Sequence, residues 1–211
     1  MTLPGGVERH TFDGSERLAT RGEPVYGEPT DGEWRAWNPH RSKLGAMLEL
    51  GLDTGLTGGD TVLYLGAAAG TTASHVADFA GPTYAVEFAA RPMRDLLDAA
   101  EPRPRLFPLL ADARSPEEYA HVVEPVDVIV QDVATRGQAA VATTNARFLR
   151  EGGRLLMAVK ARSEDVTRDP EAVFADALEE LRGTYEILDS ERLTPYHDDH
   201  LGVVARPLSD Q

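Results

Sequence analysis

The sequence predicts an α/β fold in which a largely parallel sheet carries helices on both faces. From residue 60 onward, apolar runs typical of buried strands alternate with segments of helical periodicity. The run at 62–65 is followed by a glycine-containing turn at 66–70, and Thr71 and Thr72 lie where a helix should begin. A strand, a glycine turn and a helix N-terminus form the first unit of a doubly wound, nucleotide-binding sheet.

The chain before this sheet is predicted to form a small antiparallel β appendage, at residues 1 to about 35. Strands are expected at 7–12 and 16–20, joined by the Asp-Gly turn at 13–14, and glycines and prolines break the chain repeatedly up to residue 32. The segment has too few apolar residues to fold alone. Residues 36–211 would then form the main domain.

The main domain is predicted to contain seven strands, with helices between most of them. Its first helix should run from Ser42 to Leu50 and end at Gly51. Because a loop joins the last two strands, we expect the final strand to be antiparallel. Strands are predicted at 61–65, 83–88, 105–110, 126–131, 154–160, 184–192 and 201–206, and the later helices at 72–80, 91–100, 115–121, 137–150 and 170–182. This Rossmann-like seven-stranded sheet resembles that of class I S-adenosylmethionine-dependent methyltransferases.

The composition excludes several classes of site. Cysteine is absent, which rules out disulfides, thiolate nucleophiles and cysteine metal ligands. No apolar run approaches the roughly 20 residues that span a bilayer, and the N-terminus lacks the features of a secretion signal. We therefore expect a cytoplasmic protein with no membrane contact.

The charge balance points to an unusual solvent. The formal net charge is −14, and the basic residues are 19 arginines and only two lysines. A lysine-poor, acidic surface is typical of adaptation to high salt, where charges are screened within about 3 Å at 1 M. We hypothesise a halophilic source, with stability that rises with KCl. The acidic balance predicts no DNA binding through a basic face.

The turn at 66–70 predicts the kind of ligand. Its pattern with the residues around it is G-A-A-A-G-T-T, whereas pyrophosphate binders carry G-x-G-x-x-G. With fewer amides directed at a phosphate, the loop suits a nucleoside-bearing ligand without a diphosphate, such as S-adenosylmethionine. An ordinary tight turn between strand and helix is the alternative.

Polar residues at the carboxyl ends of the strands mark the expected site. Glu87 follows the glycine turn by about 20 residues, where a carboxylate pairs with ribose hydroxyls, and Phe88 could cover an adenine. Asp112 could bind the adenine amino group or cap a helix. Asp132 and Lys160 end neighbouring strands, so we expect their side chains to meet, as a functional pair or a structural one.

Three further groups are open to two interpretations each. Trp34 and Trp37 could stack on RNA bases or pack the appendage onto the main domain. His200 lies in a polar loop and could be a surface residue. Metal binding by His197, Asp198 and His200 is a weak alternative, because no other ligands are directed there, and no metal is expected.

Combined motifs over nearly the whole chain resemble those of archaeal fibrillarins, guide-RNA-dependent 2′-O-methyltransferases. They include W-N-P at 37–39, R-S-K-L at 41–44, V-L-Y-L-G-A-A at 62–68, Y-A-V-E-F at 84–88, D-V-A at 132–134 and K-A-R-S at 160–163. The resemblance implies the catalytic set Lys43, Asp132, Lys160 and His200. It implies S-adenosylmethionine contacts from Gly66, Ala68, Thr71, Thr72, Glu87, Phe88, Asp112, Ala113, Asp132, Val133, Ala134, Thr135 and Gln138.

One departure from the family pattern concerns the turn after Asp132. The family usually has Ala-Gln-Pro-x-Gln, whereas this chain has A-T-R-G-Q at 134–138. Without the proline the turn is less constrained, so contacts from Thr135 and Gln138 are the least secure.

The mechanism that we expect is a single in-line methyl transfer to a ribose 2′-oxygen. Lys160 would take or direct the hydroxyl proton, and Asp132 would hold Lys160. Lys43 would orient the ribose or its phosphate, and His200 would complete the polar ring. The proton acceptor stays open among Lys43, Lys160 and His200.

The resemblance also implies an assembly. The expected partners are a C/D box guide RNA, target rRNA or tRNA, a Nop-domain scaffold protein and a kink-turn-binding ribosomal-type protein. The alternatives are a non-catalytic subunit of the same particle, a methyltransferase acting on protein or small molecules, and a nicotinamide-dependent enzyme. The missing G-x-G-x-x-G disfavours the last of these.

Overall fold

The N-terminal sheet has four short antiparallel strands in a computed structural model that describes residues 3–208. They are β1 (Glu8–Phe12), β2 (Ser15–Arg21), β3 (Thr30–Asp31) and β4 (Trp34–Ala36), in the order β1-β2-β4-β3. The strands β3 and β4 were not expected, because glycines and prolines interrupt the sequence around them. The division of the chain near residue 35 stays a prediction, and residues 1–2 and 209–211 lie outside the described part.

The second sheet carries the site, and helices separate most of its strands. Its strands are β5 (Val62–Leu65), β6 (Thr83–Glu87), β7 (Leu106–Leu110), β8 (Val126–Gln131), β9 (Leu149–Lys160), β10 (Tyr185–Arg192) and β11 (His200–Pro207). The helices are α1 (Lys43–Leu50), α2 (Thr71–Phe79), α3 (Ala90–Ala100), α4 (Gln138–Asn145), α5 (Ala161–Glu164) and α6 (Pro170–Leu181).

The strand order is β10-β11-β9-β8-β5-β6-β7. Strands β5 to β9 are parallel, and β11 runs antiparallel to both β9 and β10. Every residue of β5 and β6 is buried, as expected for central strands covered on both faces. The predicted seven-stranded sheet with an antiparallel last strand is confirmed.

Two predicted helices were wrong in extent. The segment 115–121 forms only a 3₁₀ turn at Pro116–Glu118, followed by irregular turns. The helix predicted at 137–150 ends at Asn145, whose buried side-chain amide donates to the carbonyl oxygens of Val141 and Ala113. Strand β9 then begins at Leu149, which pairs with Val126.

A buried ion-pair network attaches the N-terminal sheet to α2. The guanidinium of Arg35 lies 2.5 Å from Glu28 and 2.8 Å from Asp78, and Arg103 contacts Asp78 at 2.9 Å. Each of these side chains is at most 5% exposed. The close approach requires glycine at position 22, because a Cβ there would lie 2.3 Å from Asp78 Oδ1.

The segment between the sheets packs on α2 through aromatic stacking. Trp37 is fully buried and stacks on His75, with ring centroids 4.9 Å apart and planes 5° apart. His75 is hydrogen-bonded to the hydroxyls of Thr20 and Tyr26. Trp34 is partly buried beside Arg21. For Trp37 the interpretation as an RNA-stacking residue was wrong, since no face of its ring is accessible.

Candidate active site

A cavity of about 330 Å³ opens at the carboxyl ends of β5, β6, β7 and β8. Apolar side chains such as Val86 and Val141 form part of its wall. Ten of the expected cofactor contacts also line it: Gly66, Ala68, Glu87, Phe88, Asp112, Ala113, Asp132, Val133, Ala134 and Thr135. The sheet therefore brings most of the predicted binding set together.

The glycine turn comes into close contact with the turn after β8. Gly66 has φ +83°, and a Cβ on it would lie 2.5 Å from the carbonyl oxygen of Asp132. Only glycine fits there without moving Asp132. On the other side, the backbone N–H of Ala68 donates to Glu87 Oε2 at 2.9 Å, while Ala89 donates to Oε1 at 2.7 Å. Glu87 thus holds the turn and faces the cavity at once.

The rim of the cavity is formed by Phe88 and Asp112. Phe88 is 72% exposed, which is unusual for a large apolar side chain. The carboxylate of Asp112 contacts the guanidinium of Arg114 at 2.6 Å, and this hydrogen bond lowers the pKa of Asp112. Asp112 does not cap an α-helix, since only the short 3₁₀ turn follows it.

An ion pair lies beside the cavity, between residues that are far apart in the chain. Lys43 Nζ is 3.0 Å from Asp132 Oδ2, and the two side chains are 26% and 23% exposed. We had expected Asp132 to pair with Lys160, so this expectation was wrong in its partner. Lys160 has no carboxylate within 4.0 Å among residues 3–208.

The start of α1 explains how Lys43 reaches the site. Ser42 is the N-cap residue, and its hydroxyl accepts from the backbone N–H of Gly45. The hydroxyl of Thr72 donates to the same oxygen at 3.0 Å. Thr72 is thereby buried against Ser42, the residue before Lys43, while Thr71 lines a separate cleft. Neither threonine lines the cavity that the other predicted contacts share.

Lys160 and His200 lie side by side on adjacent strands. Lys160 is the last residue of β9 and pairs with His200, the first residue of β11. The prediction that His200 lies in a loop was therefore wrong. His200 Nδ1 donates to the carbonyl oxygen of Asp198 at 2.5 Å, and Nε2 has no hydrogen-bond partner among the described residues. Burial lowers the pKa of His200, and the charge of Lys43 adds to the effect. His200 thus carries a buried ring nitrogen that has no partner among the described residues.

Gln138 lies away from the cavity lining. Its side chain is fully buried and hydrogen-bonds to the backbone of Lys160. The backbone N–H groups of Gly137 and Gln138 donate to the carboxylate of Glu164. These contacts constrain the turn in which this chain lacks the proline of the family pattern.

Two absences concern the described residues alone. Between residues 3 and 208, no three His, Asp or Glu side chains are arranged to hold a metal ion. Over the same range, no helix combines the length and apolar character that a membrane crossing requires.

Comparison with known proteins identifies the family. The family model described as Fibrillarin matches residues 8–208. The chain belongs to the fibrillarin family. It is 73% identical over 210 residues to the fibrillarin-like rRNA/tRNA 2′-O-methyltransferase of Haloarcula marismortui, and each chain is covered completely.

Two solved fibrillarin structures are similar over nearly their whole length. The fibrillarin of Aeropyrum pernix, solved with natively bound S-adenosyl-L-methionine, is 45% identical, with 97% and 100% of the two chains covered and a TM-score of 0.81. A fibrillarin from a fibrillarin/Nop5p complex is 39% identical, with 99% and 100% covered and a TM-score of 0.90. The predicted fold class and family resemblance are confirmed.

Sequence reasoning missed several residues of this fibrillarin-family site. Arg114 binds Asp112, Ser42 supports Lys43 and Thr72, and Glu164 holds the turn before α4. Ser42 carried a usable signal, since a serine before an apolar helix is a typical N-cap. Glu164 carried none, because a glutamate in a polar segment is usually solvated.

Proposed function

We propose that this fibrillarin-family chain is an S-adenosylmethionine-dependent methyltransferase that acts on ribose 2′-hydroxyls of rRNA and tRNA. The observation that carries the proposal is the Lys43–Asp132 ion pair beside the cavity. Lys160, at the end of β9, pairs with His200, at the start of the adjacent strand β11. The 73% identical relative is a fibrillarin-like rRNA/tRNA 2′-O-methyltransferase, which supports the same reaction.

The cavity fits S-adenosylmethionine chemically. Its volume of about 330 Å³ lies at the lower end of the range for small-molecule sites. Glu87 offers carboxylate lone pairs to a ribose diol, and Phe88, Val86 and Val141 offer an apolar surface to an adenine. The carboxylates in the wall favour a positively charged ligand. The natively bound S-adenosyl-L-methionine of the Aeropyrum pernix fibrillarin supports this assignment.

The bound cofactor supplies a methyl group made electrophilic by a positively charged sulfur. The chain supplies alignment of the ribose and removal of its proton. Asp132 holds Lys43 at the cavity edge, where the ammonium orients the target ribose or its phosphate. Lys160 accepts the hydroxyl proton in its neutral amine form, after its ammonium has released a proton to solvent, and no carboxylate among the described residues engages it as Asp132 engages Lys43. His200 pairs with Lys160 between β11 and β9, and its Nε2 is buried without a hydrogen-bond partner among the described residues.

The chain works within a ribonucleoprotein. A Nop-domain scaffold protein binds it, a role that the solved fibrillarin/Nop5p complex supports. A C/D box guide RNA and a kink-turn-binding ribosomal-type protein complete the particle, which assembles in the cytoplasm. The net charge of −14 supports target selection by guide pairing rather than by a basic protein face.

Reconstitution tests this function. The chain is assembled with guide RNA, scaffold protein and kink-turn protein in high KCl, and methylated riboses are mapped on a target RNA. We expect one methylated ribose, whose position moves when the guide sequence is changed. Methylation of a partner protein instead of RNA would favour the alternative substrate, and cofactor binding without any transfer would favour a non-catalytic subunit.

A further inference from the structure

Strand β9 extends beyond its parallel neighbour at the point where the chemistry is expected. The pairing of β8 with β9 ends at Gln131 and Met157, three residues before Lys160. On this side no strand residue is available to bond the backbone of Lys160. On its other side Lys160 is paired with His200 of β11, and just beyond this pair Ala161 N–H donates to the carbonyl oxygen of Asp199 at 3.0 Å.

A single side chain takes the place of the missing strand. Gln138 Nε2 donates to the carbonyl oxygen of Lys160 at 3.0 Å, and Gln138 Oε1 accepts from the N–H of Lys160 at 2.9 Å. The carboxamide therefore makes both hydrogen bonds that a neighbouring strand would otherwise make to Lys160. Because Gln138 is fully buried, water does not compete for either bond.

The backbone that carries this carboxamide is itself held at three points. Glu164 accepts from the backbone N–H groups of Gly137 and Gln138 at 2.9 Å and 2.7 Å, and Gln131 Nε2 donates to the carbonyl oxygen of Gln138 at 2.8 Å. Glu164 ends the short helix α5, which starts directly after Lys160. The chain thus forms a closed circuit that runs from Lys160 to Glu164, then to Gln138, and back to Lys160.

We propose that Gln138 is a positioning residue: it fixes the backbone of Lys160 at the end of β9 and so sets the direction of the Lys160 side chain. Glu164 in turn fixes the turn that carries Gln138. This inference rests on the proposed role of Lys160 in methyl transfer, and it replaces the expectation that Gln138 contacts the cofactor. Without the carboxamide, the end of β9 is bonded on one edge only. A displacement of about 1 Å at a reacting group can cost about 100-fold in rate.

The substitution Gln138→Glu tests the bond pattern with almost no change in shape. An ionised carboxylate only accepts hydrogen bonds, so it keeps the bond from the Lys160 N–H and opposes the carbonyl oxygen. In the assembled particle with saturating cofactor, we expect the single-turnover rate to fall about 10- to 100-fold. The Kd for S-adenosylmethionine should stay within about threefold of the wild-type value, because the cavity lining is untouched.

The pH profile separates positioning from simple packing. A protonated carboxyl group regains a donor, so the rate of Gln138→Glu relative to the wild type should rise as the pH falls. Gln138→Met is the matched control, since it fills the same space with neither bond, and its relative rate should not depend on pH. Glu164→Gln is the second variant, with an intact carboxamide and one weakened turn contact, and its rate should fall less.

Four results would overturn the inference. A raised cofactor Kd with an unchanged rate would make Gln138 a cofactor contact. An unchanged rate in a folded Gln138→Met particle, or equal pH profiles for Gln138→Glu and Gln138→Met, would remove the positioning role. If Gln138→Glu does not fold, an unchanged rate in Glu164→Gln would decide against the circuit. An inactive wild-type particle would count against the proposed function and not against this inference.

Discussion

Lys43 Nζ lies 3.0 Å from Asp132 Oδ2, so the first helix and the fourth parallel strand contribute opposite charges to one point beside the cavity. Both side chains are partly exposed, and their pairing leaves Lys160 without a carboxylate contact among the described residues. The pair separates two jobs between the only two lysines of the chain. Lys43 is held as a fixed charge, and Lys160 is free for proton transfer.

The charge of Asp132 should be essential. Asp132→Asn keeps the size of the side chain but releases Lys43, and we expect the methyl transfer rate to fall by about 10²- to 10⁴-fold. Single-turnover transfer in the reconstituted particle measures the effect. Asp176→Asn is the control, because it removes an exposed ion pair with Arg168 and should change nothing. Normal transfer by Asp132→Asn would argue against the ion pair as part of the site.

Lys160→Arg should separate binding from turnover. Arginine stays protonated at all accessible pH values, so it has no lone pair with which to accept the ribose proton. We expect cofactor affinity within about threefold of wild type and a rate lowered by at least about 100-fold. Calorimetric titration and single-turnover assays measure the two quantities. Near-normal turnover would show that Lys160 is not the acceptor of the ribose proton.

Glu87→Gln should weaken cofactor binding. Both carboxylate oxygens of Glu87 accept backbone N–H groups, from Ala68 and Ala89, and an amide NH₂ would oppose one of them. Hydrogen bonds to charged groups contribute about 1.5–3 kcal/mol, so we expect the Kd for S-adenosylmethionine to rise about 10- to 100-fold. Glu179→Gln changes an exposed residue and serves as the control. Equal affinities for the two variants would remove Glu87 from the binding site.

Stability should decrease in mild acid because of His75. Burial lowers the pKa of His75 well below its ordinary value, and the charges of Arg35 and Arg103 contribute. The unfolded chain therefore binds more protons than the folded one below about pH 6.5, and the free energy of unfolding falls as the pH drops through this range. Burial lowers the pKa of His197 and of His200, which act in the same direction.

Urea unfolding between pH 8 and 5 measures this dependence. The variant His75→Asn should show a shallower loss of stability, by up to about 1.4 kcal/mol per pH unit. His40→Asn is the control, since His40 is exposed. Parallel curves for wild type and His75→Asn would contradict the assignment.

The contribution of the buried ion-pair network to the free energy of unfolding should not depend on the salt concentration, because salt screens surface ion pairs but not buried ones. Removing one partner of a buried ion pair costs about 3–5 kcal/mol, because the remaining charge stays uncompensated. We expect Arg35→Met to lose this stability at both low and high KCl, whereas Arg168→Met, in an exposed pair, should have little effect at either. Urea unfolding at two KCl concentrations measures both. A loss for Arg35→Met that disappears in high KCl would show that the network is solvated.

Much of the fold was predictable because apolar runs mark strands that are buried on both faces. The strands β5, β6 and β8 appear within one residue of their expected bounds. The start of β9 was not predictable, since glycines at 152 and 153 resemble a turn, and only pairing of Leu149 with Val126 shows that the strand has begun. The helix predicted at 115–121 failed because its residues contact α4 through a Tyr119–Asn145 hydrogen bond that no local pattern encodes.

Which residues belong to the site was easier to predict than which of them form ion pairs with each other. Strand ends placed Asp132 and Lys160 near each other, and this part of the reasoning needs only the order of strands. The partner of Asp132 depends on Lys43, which comes from the segment before the sheet and whose direction is set by the Ser42 cap. Contacts of this kind arise from tertiary packing, so spacing along the chain does not reveal them.

The buried ion pairs of Glu28, Arg35, Asp78 and Arg103 also constrain how this chain can diverge. Carboxylates on the surface can be gained or lost one at a time, because strong salt makes each exchange nearly neutral. Within the network, replacing any one residue leaves the charge of its partner buried and uncompensated. A variant with one substitution is therefore destabilised before a second substitution can compensate. These four residues should therefore be inherited as a set, while the acidic coat around them drifts.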